Sequence, residues 1–251
     1  MCHLCLKKIP CFFKKETIIE RKNMNRMHTM QLKFIGTSSG EPIPRQDCRC
    51  KQCKSADRKD KRLRPSILID KKILVDAGPD ILKQLRRSQI VKLNTLIITH
   101  EHDDHVGGLK YILKFNPNIR IIRMKPGQHF KLFGIDFFAF KVEHSRVLTT
   151  IGLEINDVAY IPDSSSLLQA LKYLREVKIA ILDGSSLGRS FGGHMSINEI
   201  ITFVKPLSNL KAIYFTHNGH TRKTHKELNS FVKQMGDKRF QLAYDGLELK
   251  V

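Results

Sequence analysis

Three histidines and two aspartates fall within six residues near the middle of the chain, in the stretch H-E-H-D-D-H at residues 100–105. A short apolar run precedes this stretch and indicates a buried strand that ends at the polar side chains. Because alternate residues of an extended chain share a face, His100 and His102 point the same way, whereas Asp104 and His105 follow just beyond the strand end. Imidazole and carboxylate groups in this arrangement suit Zn²⁺ or Mn²⁺. A solvated charged turn is the alternative interpretation.

Cys48, Cys50 and Cys53 form a second cluster with the spacing C-x-C-x-x-C. Three thiolates at this spacing can reach one zinc ion, but tetrahedral zinc needs a fourth ligand, and no nearby residue supplies one. Free cysteines are the alternative. The six cysteines fall in two short-range clusters, which favours thiols in a reducing compartment over a disulfide framework. We therefore predict a cytoplasmic protein.

Four more polar side chains follow apolar, strand-like segments. His144 comes after the segment that ends at Val142, and an ordinary surface histidine is its alternative interpretation. Asp163 follows another strand, where a carboxylate can bridge two cations or simply cap a helix. His217 and His220 follow a strand near the C-terminus.

His194 precedes a helix predicted over residues 197–203, whose N-terminus is a natural anion site. A histidine titrates near neutral pH, so one outside a ligand set can act as a general acid. His194 is therefore the candidate that protonates a departing alkoxide.

The stretch H-E-H-D-D-H matches the H-x-H-x-D-H signature of metallo-β-lactamase-fold hydrolases, which the chain resembles over roughly Leu32 to its C-terminus. The resemblance implies an α/β fold, an αββα sandwich of two mixed sheets flanked by helices. It also implies a dinuclear site with a first cation, a second cation and a bridging carboxylate. The ligands would be, in that order, His100, His102 and His144; Asp104, His105 and His217; and Asp163. Asp104 is also predicted to be catalytic with His194, and Asp76 is expected to brace the ligands.

The cysteine cluster is similar to that of the phosphoribosyl 1,2-cyclic phosphate phosphodiesterase family. There such a cluster forms a structural zinc site together with a histidine three residues beyond the last active-site histidine. Here that resemblance implies a site made by Cys48, Cys50, Cys53 and His220. It also matches His194, in its G-G-H-x-S context, to the acid histidine of the family.

Strands that alternate with helices must position these residues, and the chain divides into two parts. Residues 1–29 carry scattered lysines and arginines without a periodic face, which predicts a disordered basic leader or an early start codon, without a signal peptide. Residues 30–251 are predicted to be the hydrolase domain. Its expected elements include a helix around residues 167–174 and a closing edge hairpin around Asp245-Gly246.

The formal net charge is +20, which attracts anions and fits a small phosphorylated substrate, with nucleic acid as a further partner that the charge allows. Trp is absent, so stacking platforms for single strands receive little support. No apolar run approaches the roughly 18 residues of a membrane span, so no membrane partner is expected. A homodimer is left open.

The predicted function is a dinuclear metal-dependent phosphodiesterase acting on a small cyclic phosphate or phosphodiester. Two cations (Mn²⁺ or Zn²⁺) about 4 Å apart would lower the pKa of a bridging water to about 7, and one further Zn²⁺ would be structural. The alternatives are an RNA-processing nuclease resembling transfer-RNA 3′-processing enzymes, and a thioester or lactone hydrolase on the same fold. A non-enzymatic binding domain is disfavoured, because every ligand position is filled.

Overall fold

A computed structural model describes residues 29–251, in which thirteen strands form two mixed sheets with helices on their outer faces. This is the predicted α/β sandwich. The predicted leader lies outside the described residues, apart from Thr29, and stays a prediction. None of the helices within residues 29–251 combines the length and the apolar character that a membrane span requires.

The first sheet has six strands. They are β1 Gln31–Gly36, β2 Ser66–Ile69, β3 Ile73–Val75, β4 Thr95–Ile98, β5 Arg120–Arg123 and β13 Glu248–Lys250. Their order is β13-β1-β2-β3-β4-β5, and the pairs β3–β4 and β4–β5 are parallel.

The second sheet has seven strands. They are β6 His129–Leu132, β7 Ile135–Val142, β8 Thr150–Ile155, β9 Val158–Ile161, β10 Ile179–Asp183, β11 Ala212–Thr216 and β12 Phe240–Leu242. Their order is β12-β11-β10-β9-β8-β7-β6, and the four strands from β9 to β12 are parallel neighbours. The carboxyl ends of parallel strands meet at one edge, which is where a site can be built from several strand ends.

Seven short α-helices and one 3₁₀ turn, Arg58–Asp60, connect the strands. The helices are α1 Lys51–Lys54, α2 Ile81–Arg87, α3 Asp103–Val106, α4 Leu109–Phe115, α5 Leu171–Leu174, α6 Ile197–Val204 and α7 His225–Met235. Helices α6 and α7 both begin with a capping box, formed by Ser196 with Glu199 and by Thr224 with Glu227. Such a box satisfies two backbone donors that the first turn would otherwise leave unpaired.

Three apolar clusters hold the layers together. The central cluster lies between the sheets and includes Phe34, Phe137 and Tyr160, all fully buried. One outer cluster lies under α2 and α4, and the other under α5, α6 and α7. Strands with buried residues on both faces read as continuous apolar runs, which is why β4 and β10 were recognisable in the sequence.

Two predicted elements differ from the structure. The closing hairpin is wrong, because β12 pairs with β11 in one sheet and β13 pairs with β1 in the other. The Asp245-Gly246 turn carries the chain between the sheets, and the Asp245 carboxylate accepts hydrogen bonds from the Leu63 N–H and the Thr37 hydroxyl, both at 2.8 Å. The helix predicted around residues 167–174 is reduced to α5, because a turn occupies its first half.

Candidate metal centre and active site

Three histidines form the first donor group, at the ends of β4 and β7. The His102 Nδ1 atom lies 2.9 Å from His100 Nε2 and 3.1 Å from His144 Nε2. The three donor atoms of a tetrahedral site with bonds of about 2.05 Å would lie about 3.3 Å apart. The structure therefore brings together the three residues that were predicted to hold the first cation, at a spacing that fits one ion.

Asp104, His105 and His217 form the second donor group. The Asp104 Oδ2 atom lies 3.1 Å from His217 Nε2 and 3.6 Å from His105 Nε2. Helix α3 carries the first two of these residues, and His217 follows β11 with a left-handed backbone, φ 53°. A non-glycine residue in this conformation is uncommon and marks a position that the surrounding structure holds in place.

Asp163 lies between the two groups and is almost fully buried. Its Oδ1 atom is 3.1 Å from His217 Nε2, and its Oδ2 atom is 3.0 Å from His105 Nε2. It also forms a donor group with His100 and His105. The helix-capping alternative for Asp163 is wrong, because the next helix begins only at Leu171. Its position suits a bridging carboxylate.

Asp76 orients the second group. Its Oδ2 atom accepts a hydrogen bond from His105 Nδ1 at 2.8 Å, and its two oxygens also accept from the Thr99 amide and hydroxyl. Because His105 donates through Nδ1, its Nε2 atom is left free for a cation, as in carboxylate–histidine–metal arrangements. The predicted bracing role of Asp76 agrees with this geometry.

The protonation equilibria of the buried histidines fit a cation site. Burial lowers the pKa of His100 to about 2, and the nearby His105 acts in the same direction, so His100 offers a neutral nitrogen. Burial opposes a charged His105, but the carboxylates of Asp163 and Asp76 raise its pKa well above the usual range. A divalent cation can supply the positive charge that these carboxylates attract, and it would then displace the proton.

Unpartnered buried atoms support the same conclusion. His105 Nε2 and Asp163 Oδ2 are buried without a hydrogen-bond partner, although they lie close together. Buried polar atoms are nearly always paired, so donor atoms that converge without a hydrogen bond indicate a site for a positive ligand. The residues present therefore fit divalent metal binding.

His194 stands beside both groups and belongs to neither of the predicted ligand sets. Its Nδ1 atom lies 2.7 Å from Asp183 Oδ2, and its ring is 4.7 Å from that of His144 and 5.2 Å from that of His217. It can also form a donor group with His144 and Asp163. The Asp183 contact occupies Nδ1, so Nε2 is the atom that can exchange a proton with a substrate.

Asp183 was missed in the sequence. It is fully buried at the end of β10, where it also accepts hydrogen bonds from the amides of Ser164 and Ser185. An aspartate that ends an apolar strand and is followed by Gly184 was the available signal. Asp76 has a similar setting, since it follows an apolar strand and precedes Ala77-Gly78.

The anion site predicted at the start of α6 is wrong. The Ser196 amide donates to the Glu199 carboxylate at 2.8 Å, and the Glu199 amide donates to the Ser196 hydroxyl at 3.3 Å. The negative carboxylate already occupies the positive end of the helix dipole, so this end would repel a second anion.

A tight turn holds His144. The Nδ1 atom of His144 donates to the Gly193 carbonyl at 2.8 Å, which leaves Nε2 for the first donor group. Gly193 has φ +86°, and a Cβ atom built on it would lie 2.5 Å from the His144 carbonyl oxygen. Gly193 is therefore required both by its backbone angle and by the close approach of His144.

We expect Gly193→Ala to lower activity and metal affinity by about 10–100-fold, the usual range for disturbing a residue that supports a metal ligand. Gly192→Ala is the matched control, because its φ is +59° and a Cβ there meets nothing within 4 Å. Hydrolysis rates and metal titrations of both variants test the prediction, and equal losses in the two would contradict it.

The cysteine cluster meets His220 from the far end of the chain. Cys48, Cys50 and Cys53 place their sulfur atoms 3.5, 3.3 and 3.3 Å from His220 Nε2. In tetrahedral zinc with bonds of about 2.3 and 2.0 Å, sulfur and nitrogen are about 3.5 Å apart. The four residues fit a closed zinc site and leave no ligand position for a substrate.

This cysteine–histidine site is joined to the loop that carries the second-group ligand His217. His220 follows His217 by three residues, and between them Asn218 bonds to the Thr37 carbonyl through both its amide and its side chain, at 2.7 and 3.1 Å. The loop after β1 and the loop after β11 are thus joined. An ion in this site would restrain the backbone that carries His217.

The family model of the metallo-beta-lactamase superfamily matches residues 62–163. An octanoyltransferase of Porphyromonas gingivalis is 26% identical over 257 residues, which cover 87% of this chain and 51% of that protein. Coenzyme PQQ synthesis protein B of Methylorubrum extorquens is 24% identical over 143 residues, covering 50% of this chain and 44% of that protein. The chain thus spans about half the length of the curated relatives it matches.

Solved structures give the same fold. A diphosphatase from the PhnP family aligns with a TM-score of 0.76 and 27% identity, covering 88% of this chain and 98% of the other. Zinc-bound PqqB from Methylobacterium extorquens aligns with a TM-score of 0.74 and 19% identity, covering 88% and 100%. The family model, the solved structures and the donor groups at the strand ends together show that this chain has the metallo-β-lactamase fold and carries residues that fit divalent metal binding.

Proposed function

We propose that the protein is a dinuclear metal-dependent phosphodiesterase that hydrolyses a small cyclic phosphate or phosphodiester. The observation that carries the proposal is His194, an imidazole oriented by Asp183 at 2.7 Å and placed beside, and outside, the two predicted ligand sets. An alkoxide leaving from phosphorus needs a proton, and a histidine supplies one near neutral pH. Likeness to a PhnP-family diphosphatase supports the phosphorus chemistry.

Each group of residues at the site would have a separate role in phosphodiester hydrolysis. Two cations, Mn²⁺ or Zn²⁺, would supply an acidified water and positive charge for the phosphoryl oxygens. The two histidine-rich groups and Asp163 would hold these cations. Asp104 stays ionised, since hydrogen bonding to His217 outweighs burial and lowers its pKa. His194 gives its Nε2 proton to the leaving oxygen, and Asp183 keeps the imidazole in the required orientation.

The direct test is hydrolysis of bis(p-nitrophenyl) phosphate and of a 2′,3′-cyclic nucleotide by purified protein, together with its metal content. We expect about three metal ions per chain, one of them zinc in the cysteine site, and hydrolysis of both substrates. Full metal loading without hydrolysis of either phosphodiester would overturn the proposal and would favour a thioester or lactone substrate.

His194→Ala tests whether His194 protonates the leaving oxygen. We expect the variant to lose about 10²–10⁴-fold in kcat on the 2′,3′-cyclic nucleotide, whose alkoxide needs the proton. It should lose much less on bis(p-nitrophenyl) phosphate, because p-nitrophenolate leaves without protonation. His129→Ala, a partly exposed histidine that pairs with Asp136, is the control. Unchanged turnover of the cyclic nucleotide by His194→Ala would contradict the acid role.

An RNA-processing nuclease is the second candidate, and one observation favours it. Residues 81–100 and 105–135 contain no Asp or Glu, and the outward faces of α2 and α4 expose Lys83, Arg86, Lys110 and Lys114. Such a basic face suits a polyanion. Cleavage of a 3′-extended transfer-RNA precursor with steep salt dependence, in the absence of cyclic-phosphate hydrolysis, would favour this candidate.

A further inference from the structure

Phe191 is placed on the catalytic side of the molecule by its backbone pairing with His194. The amide of each residue donates to the carbonyl of the other at 3.0 Å, which makes an antiparallel bridge. Gly192 and Gly193 form the turn with positive φ angles, as two-residue hairpins require. Directly paired residues in an antiparallel bridge point to the same face, with Cβ atoms about 5 Å apart. The side chains of Phe191 and His194 therefore leave the hairpin on the same face.

The same turn joins Phe191 to a second loop. The Gly193 carbonyl accepts a hydrogen bond from His144, and Val147 follows His144 by three residues. Val147 lines a cavity of about 780 Å³ whose walls also include His102, His144, Arg146 and Gly193. This cavity opens directly onto the first donor group, so it is the space in which a substrate bound there would extend.

Two apolar side chains near this cavity are unusually exposed. Val147, which lines the cavity, is 89% exposed, and Phe191, next to the lining residue Gly192, is 81% exposed. Among the described residues, only two other large apolar side chains, Val91 and Leu168, are more than 60% exposed, and Leu168 lines a different cavity. Exposed apolar side chains beside a substrate cavity indicate a surface that a ligand covers.

We propose that Phe191, together with Val147, binds an apolar or aromatic ester group of the substrate, next to the phosphodiester that is cleaved. The inference rests on the proposed phosphodiesterase function and deepens it. The polar donor groups and Arg146 suit the anionic phosphate, whereas the phenyl and isopropyl groups suit a carbon-rich substituent. A substrate with only small polar substituents would leave both side chains in water.

The test compares two diesters that release the same p-nitrophenolate and keep different groups. Bis(p-nitrophenyl) phosphate keeps an aromatic ester, and methyl p-nitrophenyl phosphate keeps a methyl ester. We expect Phe191→Ala to raise KM for the aromatic diester about 10-fold and to leave kcat for it, and both constants for the methyl diester, nearly unchanged. Phe191→Leu should retain most of the preference, because it keeps an apolar side chain at the same place.

Phe133→Ala is the matched control, since Phe133 is also exposed but lies in the turn at the opposite end of β7 from His144. Equal changes for both diesters in Phe191→Ala would show an effect on His194 alone and would overturn the inference, as would no change for either. If the wild-type protein hydrolyses both diesters, the phosphodiesterase proposal stands even when the Phe191→Ala result overturns this inference. If it hydrolyses neither, both proposals fail.

Discussion

Asp163→Ala is expected to abolish hydrolysis, with a loss of at least about 10³-fold, while the protein stays folded. Its two carboxylate oxygens lie 3.1 Å from His217 Nε2 and 3.0 Å from His105 Nε2. A neutral imidazole has a single free lone pair, so it could not replace a carboxylate that would hold two cations with separate oxygen atoms. Without Asp163, the two donor groups at the strand ends should lose at least one of their cations, and the zinc of the cysteine site should remain.

The measurement is metal content by mass spectrometry beside kcat for both phosphodiesters, with circular dichroism to confirm folding. Glu101→Ala is the matched control. Glu101 stands within the same six-residue stretch, but its exposed carboxylate accepts a hydrogen bond from Arg123 at 2.7 Å. We expect that control to keep full activity. An Asp163→Ala protein that keeps both catalytic cations and normal turnover would refute the bridging role.

Cys50→Ser is expected to remove one zinc ion and to destabilise the whole domain. Even a third of the roughly 10–16 kcal/mol that structural zinc contributes in small zinc-finger peptides would be about 4 kcal/mol. In a domain of this size such a loss lowers Tm by about 8–16 °C. Activity should fall less steeply than in Asp163→Ala, because the site acts on His217 only through the loop that joins it to His220.

Thermal unfolding and zinc content of Cys50→Ser test this expectation, with and without added zinc. Cys11→Ser serves as the cysteine control and should keep the zinc and the Tm of the wild type. A Cys50→Ser protein with unchanged zinc content would show that the four residues do not form the site. Unchanged Tm after loss of the ion would show that the ion does not stabilise the fold.

The catalytic stretch at residues 100–105 could be recognised in the sequence because its information is local. Ligand-type side chains that directly follow a buried strand have their relative positions set by one short piece of backbone. The same holds for the cysteine cluster, whose three thiols lie within six residues. Resemblance to known hydrolases then supplied the distant partners, His144, Asp163, His217 and His220, and the structure brings each of them to the expected group.

The pairing of Asp183 with His194, by contrast, was visible only in three dimensions. His194 was a candidate acid in the sequence, but Asp183 was not singled out, and their pairing depends on where β10 ends relative to the turn before α6. For Asp163 the sequence left helix capping as the alternative to a bridging carboxylate, and the structure excludes capping because no helix begins beside this residue. The exposed Phe191 could be related to the active site only through its backbone bridge to His194.

The C-terminal strands show most clearly why some contacts could not be predicted from the sequence. Residues around β12 and β13 have the alternation and the Asp-Gly turn of a hairpin, and this pattern indicates strands but not their partners. Which sheet each strand joins depends on the long-range packing of the two layers and on the bonds that Asp245 makes to Leu63 and Thr37. The sequence by itself determined the strands, the donor side chains and the chemistry they can perform. Only the tertiary structure decided which strand ends meet and which polar groups orient them, because those contacts join residues far apart in the chain.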